Sequence, residues 1–271
     1  MEYQEIVVNK NRIHFRIKPD PSPALTVIFI HGFPFNKSIW DNQLSSLPEG
    51  VEGIAYDIRG FGNSSSKHSF FSIDRFAQDL LSFINEKGIK NYILCGISMG
   101  GYIALRAYEL SPNNISGLIL SDTNCVADSN ESRIKRFATV DKILAGGKEE
   151  FTENFIKDVF NQSTIKDKPQ VVGFLREVIL GTSDDTICGT LLALAARTDT
   201  SHLLPHINVP VLIIRGVEDK LMSEEQTQQL VSGIKQSTLI NIKKAGHLPN
   251  LENPDEFNSA LNTFLSKHFL S

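Results

Sequence analysis

Ser98 stands between two glycines in the stretch Gly96-Ile97-Ser98-Met99-Gly100. A serine hydroxyl is a weak nucleophile at neutral pH, so it attacks a carbonyl only when a neighbouring base takes its proton. His247 is the base expected here, within Ala245-Gly246-His247-Leu248-Pro249, and an aspartate must orient its imidazole and stabilise the cation that forms. Two aspartates follow apolar runs, Asp122 and Asp219. Asp219 is favoured because Gly216, three residues earlier, lets its loop turn back. The reaction so assembled is acyl transfer from an ester or lactone, followed by attack of water on the acyl-enzyme, and it requires no cofactor or metal. Its oxyanion needs backbone N–H donors, and the expected pair is Met99, at the start of a helix, and Phe33, in His31-Gly32-Phe33-Pro34.

Such groups act together only if strands and helices bring them to one edge. Tyr92 to Cys95 is an apolar run and Gly101 to Leu110 reads as a helix, so Ser98 lies on a sharp strand-to-helix turn where flanking side chains would collide. Leu25 to Ile30 is continuously apolar, as a central strand buried on both faces must be, and leads directly into His31. Further strands are expected at Glu5 to Val8, Ile13 to Ile17, Ile54 to Tyr56, Ile115 to Leu120, Val209 to Arg215 and Thr238 to Ile242. Helices alternate with them at Asn36 to Ser46, from the N-cap Ser72 to Lys87, from the capping box Ser223/Gln226 to Val231, and from Pro254 onward. This alternation predicts an α/β fold, a mostly parallel sheet with helices on both faces. Loops beyond the carboxyl ends of such strands are where ligands bind.

Between Asn124 and His202 the strand pattern stops, and helical segments follow at Ser129 to Leu144, Lys148 to Phe160, Lys168 to Leu180 and Asp184 to Arg197. Residues 124–202 are therefore expected as an inserted helical cap over a core built from 1–123 and 203–271, its aromatic stripes serving chiefly as packing. Asp57 and Arg59 are expected to brace the glycine-rich loop that holds them, and His31 to shape the oxyanion loop.

The 271 residues carry 41% apolar side chains and a formal charge of -4, enough for a large core and without the basic patches of a nucleic-acid binder. Cys95, Cys125 and Cys188 are odd in number and form no CxxC pair, which argues against a disulfide framework or zinc site. The acidic start lacks the order of a signal peptide and no apolar run reaches membrane-spanning length, so a cytoplasmic protein is expected.

The chain resembles the α/β-hydrolase superfamily, in particular its capped esterases and lactonases of the 3-oxoadipate enol-lactonase type. The resemblance covers nearly the whole chain and rests on His31-Gly32-Phe33-Pro34, the Asp57 to Ser64 loop, Gly96 to Gly101, Gly216 to Asp219, and Gly246 to Pro254. It implies a nucleophile at Ser98, an acid at Asp219, a base at His247 and oxyanion donors at Phe33 and Met99. Some superfamily members carry the acid where Asp122 stands. Carbon–carbon bond hydrolysis, perhydrolysis and a small-molecule receptor without turnover are other functions the same scaffold supports.

Overall fold

The computed structural model describes residues 1–270. Eight strands form one sheet: β1 (Glu2–Val8), β2 (Asn11–Lys18), β3 (Leu25–Ile30), β4 (Val51–Tyr56), β5 (Tyr92–Ile97), β6 (Ile115–Ser121), β7 (Val211–Gly216) and β8 (Ser237–Ile242). Their spatial order is β1-β2-β4-β3-β5-β6-β7-β8. The first two strands run antiparallel and β3 to β8 are parallel to one another. The opening hairpin turns on Asn9 and Lys10, both at positive φ, so Asn11 already belongs to β2.

Period-two alternation assigns the sheet's side chains to two apolar layers. Ile28, Ile30 and Leu94 join one layer, while Val27, Phe29, Ile93 and Cys95 join the other. Helices α2 (Ile73–Glu86) and α3 (Met99–Leu110) cover the first through Phe76, Leu80, Phe83 and Ile103. Helix α1 (Asp41–Ser46) supplies Leu44 to the second. The expected helix from Asn36 to Ser46 is in fact a 3-10 turn, Lys37–Trp40, followed by α1. Asn36 caps that turn through Ser38 N–H, while Asp57 draws off the Lys37 N–H.

Five helices lie between β6 and β7: α4 (Asn130–Leu144), α5 (Lys148–Val159), α6 (Gln162–Asp167), α7 (Pro169–Gly181) and α8 (Asp184–Ala195). Four were expected. The fifth, α6, is six residues long, too short to show a hydrophobic period, and is started by the Asn161 side chain accepting from Thr164 N–H. After β7 come α9 (Glu224–Gly233), opened by the Ser223/Gln226 capping box, then α10 (Pro249–Glu252) and α11 (Pro254–His268). Phe257 and Leu261 of α11 complete the second layer. No single described helix is long and apolar enough to cross a membrane.

Candidate active site

Ser98 occupies the turn from β5 to α3 at φ 53° and ψ -118°, a conformation that costs a side-chain-bearing residue on the order of 1 to 3 kcal/mol. Close approach fixes its neighbours. A Cβ on Gly96 would sit 2.2 Å from the Gly100 carbonyl oxygen, and one on Gly100 would sit 2.1 Å from that of Ile30. The strained turn is held from β6, whose Ser121 carbonyl accepts from Ser98 N–H at 3.0 Å, and by the Thr123 hydroxyl, which donates to the Ser98 carbonyl at 2.8 Å. Residues 92 to 97 and Met99 are buried while Ser98 is partly exposed, so its side chain reaches a cavity of about 170 Å³. Phe33, Met99, Tyr102, Phe155, Leu221 and Met222 are among the residues that line it.

His247 and Asp219 meet at the carboxyl ends of β7 and β8. His247 Nδ1 lies 2.9 Å from Asp219 Oδ2, and both side chains are buried. A carboxylate accepts, so Nδ1 carries the proton and Nε2 is left with its lone pair. Asp219 Oδ1 accepts from Leu221 N–H at 2.8 Å and Met222 N–H at 3.2 Å. Burial opposes ionisation of Asp219, but the imidazole and these two donors outweigh it and hold the carboxyl below its usual range. No hydrogen bond joins the Ser98 hydroxyl to His247 among the described residues; what they share is the loop Asp219 to Met222, which holds the histidine on one side and walls the Ser98 cavity on the other.

Asp122, the competing acid, is also buried but makes no bond to His247. Its Oδ1 accepts from Gly216 N–H at 2.8 Å and its Oδ2 from the Ser121 hydroxyl at 2.7 Å. Burial, reinforced by the charge on Asp219, pushes its carboxyl well above the ordinary range. Cys125, four residues beyond the end of β6, is no competing nucleophile: burial pushes its thiol up to about 11, the reverse of activation.

The Phe33 loop is fixed by buried polar bonds. His31 Nδ1 lies 2.8 Å from the Gly32 carbonyl oxygen and its Nε2 accepts from Ile58 N–H at 3.1 Å, so one ring nitrogen donates and the other accepts. The ring is neutral; burial holds its pKa down to about 4. Asp57 pairs with Lys37 and accepts from Asn63 N–H, while Arg59 pairs with Asp79. Both brace the loop, through partners the sequence did not indicate. The N–H of Phe33 has no partner among the described residues, and that of Met99 heads a helix, where the first turn has none to offer.

The helices between β6 and β7 are tied to the histidine loop. His247 N–H donates to the Val159 carbonyl at 2.8 Å, and Glu252 accepts from Gly246 N–H at 2.7 Å and Asn161 N–H at 2.8 Å. No local spacing in the sequence marks Glu252 for this role, because Asn161 lies 91 positions away from it. The aromatic stripe divides: Phe160 is core, whereas Phe151 and Phe155 stack on each other and lean on Phe33 at the cavity.

Known proteins share this architecture. 3-Oxoadipate enol-lactonase 2 from Acinetobacter baylyi is 28% identical over 245 residues, 90% of this chain and 89% of that protein. A thermophilic esterase from Thermogutta terrifontis, solved with malate bound, superposes with a TM-score of 0.91 at 29% identity, covering 99% of this chain and all of that one. A bromoperoxidase from Bacillus anthracis shares the fold, with a TM-score of 0.87 and 24% identity over 98% of this chain and all of its own. The family described by the alpha/beta hydrolase fold matches residues 26–254, and the chain is a member of that family.

Proposed function

We propose that the protein hydrolyses a small carboxylic ester or lactone through an acyl-enzyme on Ser98. The observation that carries this reading is the bond from His247 Nδ1 to Asp219, which leaves Nε2 as a base beside the loop that walls the Ser98 cavity. In the reaction Ser98 Oγ adds to the carbonyl carbon while Nε2 takes the hydroxyl proton. The tetrahedral intermediate collapses, and the imidazolium returns that proton to the leaving alkoxide, which departs as the alcohol from an ester or becomes the free hydroxyl of the opened chain from a lactone. Water, deprotonated by the same nitrogen, then releases the acid and restores Ser98. The Phe33 and Met99 N–H groups meet the oxyanion in both halves, each worth about 3 to 4 kcal/mol of barrier by the standard of donor deletions elsewhere. In the free enzyme serine and histidine need not be bonded; such contacts commonly tighten only with substrate present. The 28% and 29% relatives named a lactonase and an esterase are consistent with this class of substrate.

The test is covalent. A fluorophosphonate should label Ser98 with loss of short-chain ester hydrolysis, and Ser98→Ala should neither label nor turn over while remaining folded. Folded wild-type protein that takes no label and hydrolyses no ester or lactone in a panel would instead indicate a binding protein on a hydrolase scaffold.

A further inference from the structure

The cavity at Ser98 adjoins a larger cleft of about 370 Å³ lined mostly by α4 and α5, and Phe33, Phe155 and Arg136 line both. Along the outer cleft charge is nearly balanced, with Lys135 and Lys142 offset by Glu150 and Asp158. In the inner cavity Arg136 is the one charged residue among the described lining, surrounded by Phe33, Met99, Phe155, Leu194 and Met222.

Arg136 is not there simply to neutralise a carboxylate. Its Nε and Nη2 reach Asp128, but Asp128 is already paired with Arg197, whose guanidinium is more deeply buried and also bonds the Val126 carbonyl. Two guanidiniums therefore share one carboxylate, so the Arg136–Asp128–Arg197 cluster carries one positive charge in excess. A guanidinium has five N–H donors, and Arg136 Nη1 has no protein partner among the described residues. Asp128 holds the guanidinium through two of its nitrogens, which reduces the rotamer cost of using the remaining donors at the cavity that Arg136 lines.

We infer that Arg136 seats a carboxylate, so that the preferred substrates are esters whose acyl portion carries a second, free carboxyl group. This inference rests on the hydrolase reading above. The acyl half stays on Ser98 in the inner cavity while the alcohol leaves through the cleft, so the inner cation addresses the acyl half. At about 170 Å³ the cavity is small beside common ligand sites of roughly 300 to 1,000 Å³, which restricts the acyl chain to a few carbons.

Monomethyl succinate, glutarate and adipate should be compared with methyl butanoate, pentanoate and hexanoate, the same chains ending in methyl. At one length or more, kcat/KM for the charged ester should exceed that of its neutral partner by about tenfold or more, the scale of a charge-assisted hydrogen bond. Arg136→Gln should lower the charged ester's kcat/KM roughly tenfold to a hundredfold more than the neutral one's, chiefly through KM. Arg136→Lys keeps the charge without the fork and should fall between; it also keeps the test decisive if the glutamine variant fails to fold. Neutral esters preferred at every length, or a charged-to-neutral ratio unchanged in the folded variants, would overturn the inference. Wild-type protein that hydrolyses neither series and takes no serine label overturns the hydrolase reading instead.

Discussion

The ends of β6 and β7 each deliver one buried aspartate to the same corner, yet the two carboxyls are driven in opposite directions. The Asp122 and Asp219 side chains are both withdrawn from water and each accepts from two donors, Asp219 from its own loop and Asp122 from Ser121 beside it and from Gly216 at the end of β7. The difference is His247, which bonds Asp219 alone. Two neighbouring buried carboxylates cannot both ionise cheaply, so ionisation is favoured at the one facing the imidazole and disfavoured at the other. A strand-end carboxylate thus becomes a candidate acid through its partner, whereas position in the sheet leaves both eligible.

Asp219→Asn attacks that difference directly. The amide keeps shape but loses the charge that holds Nδ1 protonated, and turnover of a good ester should fall about a thousandfold or more. Steady-state kinetics on protein shown to be folded checks this. Activity within tenfold of wild type would mean that the paired carboxylate is not the one that matters.

His31, at the end of β3, extends the comparison to a base kept neutral by burial. Its folded pKa of about 4 lies below the ordinary value of about 6.5, so between those limits the unfolded chain holds a proton that the folded one lacks. Stability from this group is therefore complete above about pH 6.5 and lost as pH falls toward 4, by roughly 3 kcal/mol over the window. Urea denaturation of wild type and His31→Gln at pH 7 and 4.5 should show a stability gap that narrows or reverses in acid. A gap that stays constant would mean that His31 takes up its proton as readily in the fold as in the unfolded chain, and that burial does not set the state of these strand ends.

Much of this arrangement is legible in the sequence because its demands are local. Gly96 and Gly100 are required by contacts within one turn, and β3 and β5 announce themselves as unbroken apolar runs. What the sequence conceals is joined across the chain. Arg197 and Asp128 stand 69 residues apart at the two ends of the helices between β6 and β7, and Asn161 and Glu252 stand 91 apart, so neither cluster has a spacing to read. Asp57 reads as a brace for its loop, but its partner Lys37, 20 residues earlier in a segment that reads as a helix, is shown only by the fold that buries them together. The choice between Asp122 and Asp219 depended on the same missing information, since both follow strands and only the folded chain shows which meets His247.

Asp122→Asn is the finest test because its expected effect on turnover is the smallest. A protonated carboxyl and an amide have nearly the same shape, and both offer one oxygen that can accept from Gly216 N–H and one group that can donate. The turn Gly216–Asp219 should therefore stay in place and turnover should remain within about tenfold of wild type, in contrast to the Asp219 variant. Stability should move the other way. A carboxyl whose folded pKa is raised stabilises the protein fully below the unfolded value of about 3.9, and that contribution is lost as pH rises toward the folded value. The amide has no proton to lose, so Asp122→Asn should gain on wild type between pH 4 and pH 8, measured by urea denaturation at both. A variant that instead loses ground to wild type as pH rises would mean that Asp122 is ionised in the fold. The charge would then be shared between the two strand ends, and the choice of Asp219 over Asp122 would lose its physical basis.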